Sequence, residues 1–228
     1  MLPLTLSGVS ISFPGLAQPV LAIDALTVPG GGRLAVTGAS GSGKSTFVNL
    51  VSGLERPDRG TIRWRDTDIT TLSESGRDRW RATNVGLVMQ DFHLFPGLAA
   101  IDNVLLPARL AHAATTDVKT RALELLARVG LSRPNQSVET MSRGEMQRVA
   151  VARALLRRPG VIIADEPTAS LDTEAGAEVS RLLLELAEQE GATLIVVSHD
   201  ERLTERLDRR VRLAAGRVVD DTAPGASS

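Results

Sequence analysis

Leu4 to Ser12 and Val20 to Val28 alternate apolar and polar residues loosely around Pro14 and Gly15, the pattern of two antiparallel strands joined by a turn. Arg33 to Thr37 predicts a short strand that runs into a glycine-rich segment, after which Ser45 to Gly53 has helical spacing and a glycine stop. Gly60 to Ile69 reads as a strand pair and Asn84 to Met89 as a short buried strand. From about Leu98 to Gly130 the pattern changes to Ala- and Leu-rich helices, with Thr116 to Val129 carrying apolar residues at helical intervals. Ser142 to Arg158 predicts a further helix, Val161 to Ala164 a buried strand, Thr173 to Gln189 a long amphipathic helix, and Thr193 to Val197 a second buried strand. Buried strands alternating with helices imply a parallel α/β core behind an opening antiparallel β layer. Thr222 to Ser228 is small and polar and reads as a frayed tail.

At roughly 150 residues per domain, 228 residues allow one well-buried core with a subdomain. Hydrophobic residues at 43% and charged residues at 23% are those of a soluble globular chain. Its 26 basic and 27 acidic residues leave a net charge of −1, so no nucleic-acid partner is expected. The absence of cysteine excludes disulfides, thiolate metal sites and cysteine nucleophiles. Met1 to Thr5 lacks a basic region before an apolar stretch, and no apolar run approaches the roughly 18 residues a membrane span requires. The chain is therefore expected to stay where it is made, with a partner supplying any membrane part.

Gly38-Ala39-Ser40-Gly41-Ser42-Gly43-Lys44-Ser45 matches the phosphate-loop pattern in full, after a predicted strand and opening a predicted helix. Glycines let successive backbone amides converge on phosphate oxygens, and the helix N-terminus adds partial positive charge. Lys44 brings a full charge to the β and γ phosphates, the Ser45 hydroxyl suits Mg²⁺, and Thr46 completes the expected nucleotide-binding set. A plain Gly/Ser turn capping a helix would explain most of the glycines but not the lysine, in a chain whose only lysines are Lys44 and Lys119.

Val161 to Ala164 delivers Asp165 at a strand's C-terminal edge, where it can hold Mg²⁺ through water. Glu166 follows; by strand alternation its side chain is expected to point away from that of Asp165, toward the γ phosphate, as general base for an attacking water. Acids capping the turn before Pro167 are the plainer reading of the pair taken alone.

With these motifs the chain resembles, over nearly its whole length, an ATP-binding cassette ATPase, the nucleotide-binding subunit of ABC transporters. The resemblance implies a phosphate-loop NTPase core of the RecA-like kind over about 1–90 and 159–220, a helical subdomain over about 91–158 and a tail at 222–228, all in one ABC ATPase domain. Gln90 looks like the Q-loop glutamine that touches Mg²⁺ and water. Met141-Ser142-Arg143-Gly144-Glu145 looks like the signature motif, usually Leu-Ser-Gly-Gly-Gln; Ala169-Ser170-Leu171-Asp172 corresponds to the D-loop, and His199 to the switch histidine. Phe13 sits where an aromatic ring commonly stacks on adenine, with edge packing the competing reading.

Ser142 opens a helix, so its hydroxyl, nearby amides and the helix dipole form a second anion site. The family joins two such half-sites by head-to-tail dimerisation, which implies an ATP-bound homodimer burying two nucleotides. Three residues depart from the signature: Met141 replaces leucine, Glu145 replaces glutamine, and Arg143, replacing a glycine, either crowds the γ phosphate or adds a cation to it. His93 and His112 read as incidental, Phe47 and Trp64 as packing residues.

Gln90 to Pro96 followed by Ile101-Asp102-Asn103-Val104 resembles the branch serving lipoprotein release, macrolide-type export and the cell-division complex. That implies a cytoplasmic ATPase held to the inner face of the membrane by a separate permease. A coupling helix of the permease is expected near Gln90 to Phe95, where Phe92, Leu94 and Phe95 are either its receptor or buried between subdomains. The competing class is a soluble ABC-type ATPase acting as a regulatory or nucleic-acid-associated protein; such relatives usually add coiled coils, basic surfaces or a second cassette. A nucleotide kinase is a third reading, opposed by the signature helix and His199.

Overall fold

The computed structural model describes residues 1–222. Two sheets face each other across one helix. The first is antiparallel, with order β2-β1-β4-β5, from β1 (Leu4–Ile11), β2 (Leu21–Val28), β4 (Arg59–Trp64) and β5 (Thr67–Asp68). The second has order β10-β9-β3-β8-β7-β6, built from β3 (Arg33–Thr37), β6 (Val85–Val88), β7 (Val161–Asp165), β8 (Thr193–Val197), β9 (Arg209–Ala214) and β10 (Arg217–Thr222). All its neighbours pair parallel except β10, which runs antiparallel on the edge.

The central strands show how sequence becomes layer order. In β7, Val161 and Ile163 join the core shared with the antiparallel sheet, whereas Ile162 and Ala164 join the core on the opposite face. In β8, Ile195 and Val197 face the first core and Leu194 and Val196 the second. Successive side chains leave a strand on opposite sides, so a strand buried on both sides must be apolar throughout.

Helix α1 (Lys44–Val51) fills the first core with Phe47, Val48, Leu50 and Val51. Trp64 closes that core; its indole N–H donates to the Val51 carbonyl at 2.8 Å, so a buried polar edge is satisfied by the helix end. The second core is covered by α3 (Ala100–Leu110), α4 (Thr116–Arg128), α5 (Arg143–Leu155) and α6 (Thr173–Gln189). The first three of these stand between β6 and β7 in the chain.

The expected helices at Thr116 and Thr173 and the strand at Thr193 appear within a residue of their expected ends. Three elements lie outside the sequence reading: α2 (Glu74–Asn84), β9 and β10, together with the one-turn α7 (Glu201–Thr204). Helix α2 buries no residue fully, so it has no apolar stripe to betray it; its start is fixed by Ser73, whose hydroxyl accepts from the Gly76 N–H at 3.1 Å. Thr222 belongs to β10 rather than to a tail, and the rest of the tail reading lies outside the described residues.

Candidate nucleotide site

β3 ends at Thr37 and the chain turns at Gly38, where φ is 149°. A Cβ there would stand 2.4 Å from the Leu213 carbonyl oxygen and 2.5 Å from Ser42 Oγ, so the β3 to α1 connection lies flat against β9 only because it carries no side chain. Gly43, the left-handed N-cap of α1 at φ 100°, is pressed just as closely: a Cβ would meet the Val20 carbonyl at 2.9 Å. That contact brings the β1–β2 hairpin end, where Phe13 lies about one-third exposed, beside the start of the helix.

Ala39, Ser40 and Gly41 form the exposed crest of the loop, Ser45 is exposed on the first turn of α1, and Thr46 is half-buried beside it. Lys44 curls back over the loop, its Nζ donating to the carbonyls of Gly38 at 2.8 Å and Ala39 at 3.0 Å. Ser42 is buried and its hydroxyl has no partner among the described residues. An ammonium parked on carbonyls and an orphaned hydroxyl inside a curled backbone are groups arranged for an anion.

Asp165 closes β7 next to this loop. Burial pushes its carboxyl above the ordinary range, the neighbouring Glu166 charge adds to that, and the Lys44 ammonium pulls the other way. Glu166 does not follow strand alternation: its backbone is left-handed at φ 47°, while its N–H still donates to the Val197 carbonyl at 2.8 Å. That twist, which a non-glycine residue adopts at a cost, turns the carboxylate toward the end of β8. There Oε2 lies 2.9 Å from His199 Nδ1, 3.3 Å from Ser198 Oγ and 3.4 Å from the His199 N–H. Gln90 is exposed two residues beyond β6, the neighbour of β7.

A second cluster surrounds the start of α5. Ser142 is its N-cap in a complete capping box: Ser142 Oγ accepts from the Glu145 N–H at 3.2 Å, and the Ser142 N–H donates to the Glu145 carboxylate at 2.8 Å. The Ser142 backbone and hydroxyl hold the Glu145 carboxyl below the ordinary range, assisted by Arg133 and Arg148. Gly144 lets α5 approach α6 closely, since a Cβ there would lie 3.1 Å from that of Ala175. Asp172 caps α6, accepting from the Ala175 N–H at 2.9 Å. The Arg143 side chain turns to the D-loop, with Nε donating to the Ser170 carbonyl at 2.9 Å. Among the described residues no hydrogen bond joins this cluster to the phosphate loop.

The family model for the ABC transporter matches residues 22–169, which includes the phosphate loop, the segment Ser142 to Glu145 and the Asp165–Glu166 pair. The chain belongs to the ABC transporter family. Relatives of this cassette include the lipoprotein-releasing system ATP-binding protein LolD of Syntrophotalea carbinolica, 43% identical over 85% of this chain and 86% of that one. The protein of the same description from Nitratidesulfovibrio vulgaris is 38% identical over 96% and 95% of the two chains. Among solved structures, the ATP-binding cassette MJ0796, a dimer in a post-hydrolysis state bound to ADP and Pi, superposes with a TM-score of 0.89 at 31% identity, covering 98% of this chain and all of that one. The cassette is an ATP-binding ATPase, and the α/β layers described above are those of its family.

Two residues of the site escaped the sequence. Ser198 adds a hydroxyl to the Glu166 carboxylate; it was visible only as the neighbour of His199. Arg153 of α5 donates to the carbonyls of His93 and, at 2.6 Å, Phe92, reaching a loop some 60 residues earlier that no spacing rule connects to it.

Proposed function

We propose that this chain is the ATP-hydrolysing subunit of a lipoprotein-releasing type of transporter, pairing head to tail with a second copy around two ATP molecules and driving a separate permease from the cytoplasmic face of the membrane. The relatives' description supports the branch. The observation that carries the permease is a cavity of about 650 Å³ between α2, α3 and α5, with His93 and Phe95, just beyond Gln90, in its lining. Leu110 and Phe95, respectively 74% and 53% exposed, stand at its wall. Arg79, Arg81, Arg153 and Arg157 line it against the single acid Asp78, so it suits an amphipathic segment with acidic residues. No described helix is long and apolar enough to cross a membrane, and the membrane-spanning part is assigned to the partner.

In this reading the amides from Gly38 to Thr46 and Lys44 hold the triphosphate, and Phe13 offers a ring face to adenine. Ser45, Asp165 and Gln90 supply hydroxyl, carboxylate and amide oxygens, a donor set for the hard cation Mg²⁺, which when bound neutralises charge developing on the phosphates. Glu166 takes the proton of the attacking water, and His199, with Ser198, fixes the direction of that carboxylate. Ser142 and the amides at the start of α5, Gly144 among them, present the second anion site to the nucleotide held by the partner copy, with Glu145 holding the Ser142 cap in place and Asp172 at the same seam.

The test replaces Leu110 by Glu and measures recovery of the chain with a co-expressed permease of the lipoprotein-releasing type, with ATP titration as the control for folding. Loss of co-purification with ATP binding retained is the expected result; undiminished co-purification would remove the groove from its role.

A further inference from the structure

Arg143 stands where the family's signature carries glycine, and it meets three segments. It opens α5 next to the N-cap Ser142; its Nε donates to the Ser170 carbonyl of the D-loop at 2.9 Å; and its guanidinium carbon lies 5.3 Å from the centroid of the Phe92 ring, two residues after Gln90. A guanidinium can do both at once because it is planar: one edge N–H donates while the flat face covers an aromatic ring. Phe92 is 7% exposed, so the ring is fixed; it sits in the first of two successive left-handed residues, Phe92 at φ 59° and His93 at φ 46°. The carbonyls of both are held from α5 by Arg153. The D-loop side is equally anchored, because the buried amide of Gln147 donates to the Pro167 carbonyl at 2.8 Å.

We propose that Arg143 is a positioning residue for ATP hydrolysis, tying the D-loop and the loop that carries Gln90 to the start of the signature helix so that the three move as one body. It acts through Ser170 and Phe92, not through the nucleotide. This reading rests on the ATPase activity of the cassette and adds to it a role for a residue that the signature pattern would leave as glycine. The same two contacts keep the side chain from standing over the Ser142 anion site. Cutting the tie leaves the two loops held to α5 separately, by Arg153 and by Gln147, so that each shifts more freely relative to the other and to Glu166, which lowers turnover without altering the phosphate loop that binds ATP.

The experiment measures steady-state ATPase kinetics of the full chain for Arg143→Gly, Phe92→Leu and the double variant. Phe92→Leu keeps the apolar volume but removes the ring. Loss of one hydrogen bond and one cation–π contact in the reacting geometry is expected to lower kcat about threefold to tenfold in each single variant, with KM for ATP unchanged. Because both substitutions break one linkage, the double variant is expected to be no slower than the slower single one. Circular dichroism checks that each variant is folded, and Arg143→Ala, at an exposed helix start, gives a second reading of the arginine. A raised KM in Arg143→Gly with Phe92→Leu silent would overturn the proposal and make Arg143 a phosphate-facing cation. Unchanged kcat in the Arg143 variants, or effects that multiply in the double variant, would overturn it as well.

Discussion

Glu166→Gln separates the chemistry of this site from its architecture. The amide has the shape of the carboxylate, so the left-handed backbone at φ 47° is no more strained than before. Its oxygen, placed where Oε2 stands, can still accept from Ser198 Oγ, from the His199 N–H and from His199 Nδ1 in the tautomer that carries the proton there. What disappears is the basic oxygen that the proposed mechanism turns toward the attacking water. General-base catalysis is worth about a hundredfold to ten-thousandfold, or about 2.7 to 5.4 kcal/mol of barrier at about 1.36 kcal/mol per decade.

A second consequence runs the other way. The Glu166 charge is one of the causes that hold the Asp165 carboxyl above its ordinary range, so the neutral amide lets Asp165 ionise more readily and favours bound cation and nucleotide. The expected outcome is therefore kcat lowered at least about a hundredfold, KM for ATP unchanged or lower, and dimers accumulating with ATP in size-exclusion chromatography coupled to light scattering. Steady-state kinetics on the folded variant decide it. A kcat within about twofold of the parent would take the base role from Glu166, whatever happened to the dimer.

Lys44→Ala should weaken ATP binding at least about tenfold, the order of one charge-assisted contact, read by isothermal titration; an unchanged isotherm would contradict its placement. Gly38→Ala should cost about 1 to 3 kcal/mol of stability, because the Leu213 carbonyl 2.4 Å from the new Cβ must move; an unshifted thermal midpoint would refute the close approach. Asp165 carries a pH signature. Since the folded chain holds that proton above the ordinary value of 3.8, stability is fully present below that value, falls as pH rises through the raised folded pKa, and stays lower at neutral pH. Asp165→Asn should raise the melting temperature of the nucleotide-free chain at neutral pH and flatten that part of the profile relative to the parent while abolishing turnover; a lower melting temperature at neutral pH would reverse the sign of the argument.

The strands and helices whose residues meet the cores were legible because burial writes itself into the sequence. Val161 to Ala164 of β7 and Leu194 to Val197 of β8 are apolar without interruption since both faces of these strands are covered, and α6 shows its helical stripe over its full length. Helix α2 was not legible: ESGRDRWRATN packs mainly through Trp80, whose ring centroid lies 6.3 Å from that of Trp64, and the rest of the helix is polar. β9 and β10 were hidden by charge. Val211 and Leu213 are buried, but Arg209, Arg210 and Arg212 surround them, and Arg209 and Asp221 satisfy each other across the edge pair. The phosphate loop was read residue by residue because its chemistry is local. The direction of Glu166 was not, since a left-handed residue at the strand end breaks the alternation on which the reading relied. Arg143 likewise left two outcomes open, and its partners Ser170 and Phe92 are distant in sequence on opposite sides.

These long-range contacts share one origin in α5. Arg143 holds the Phe92 ring and the D-loop, Gln147 the Pro167 carbonyl, Arg148 the Glu178 carboxylate at 2.7 Å, and Arg153 the carbonyls of Phe92 and His93. Partial burial lowers the pKa of Arg153, and its hydrogen-bond partners are neutral carbonyls. Two left-handed residues cost about 1 to 3 kcal/mol each, and two hydrogen bonds from a charged donor return about 1.5 to 3 kcal/mol each. The terms nearly cancel, so the loop after Gln90 keeps its shape only while the Arg153 guanidinium stays in place. Arg153 also lines the 650 Å³ groove. A segment entering the groove must therefore either leave this cation undisturbed or move the loop, and through it the glutamine, Arg143 and the D-loop, which gives the signature helix a physical means of relating an event in the groove to the nucleotide site.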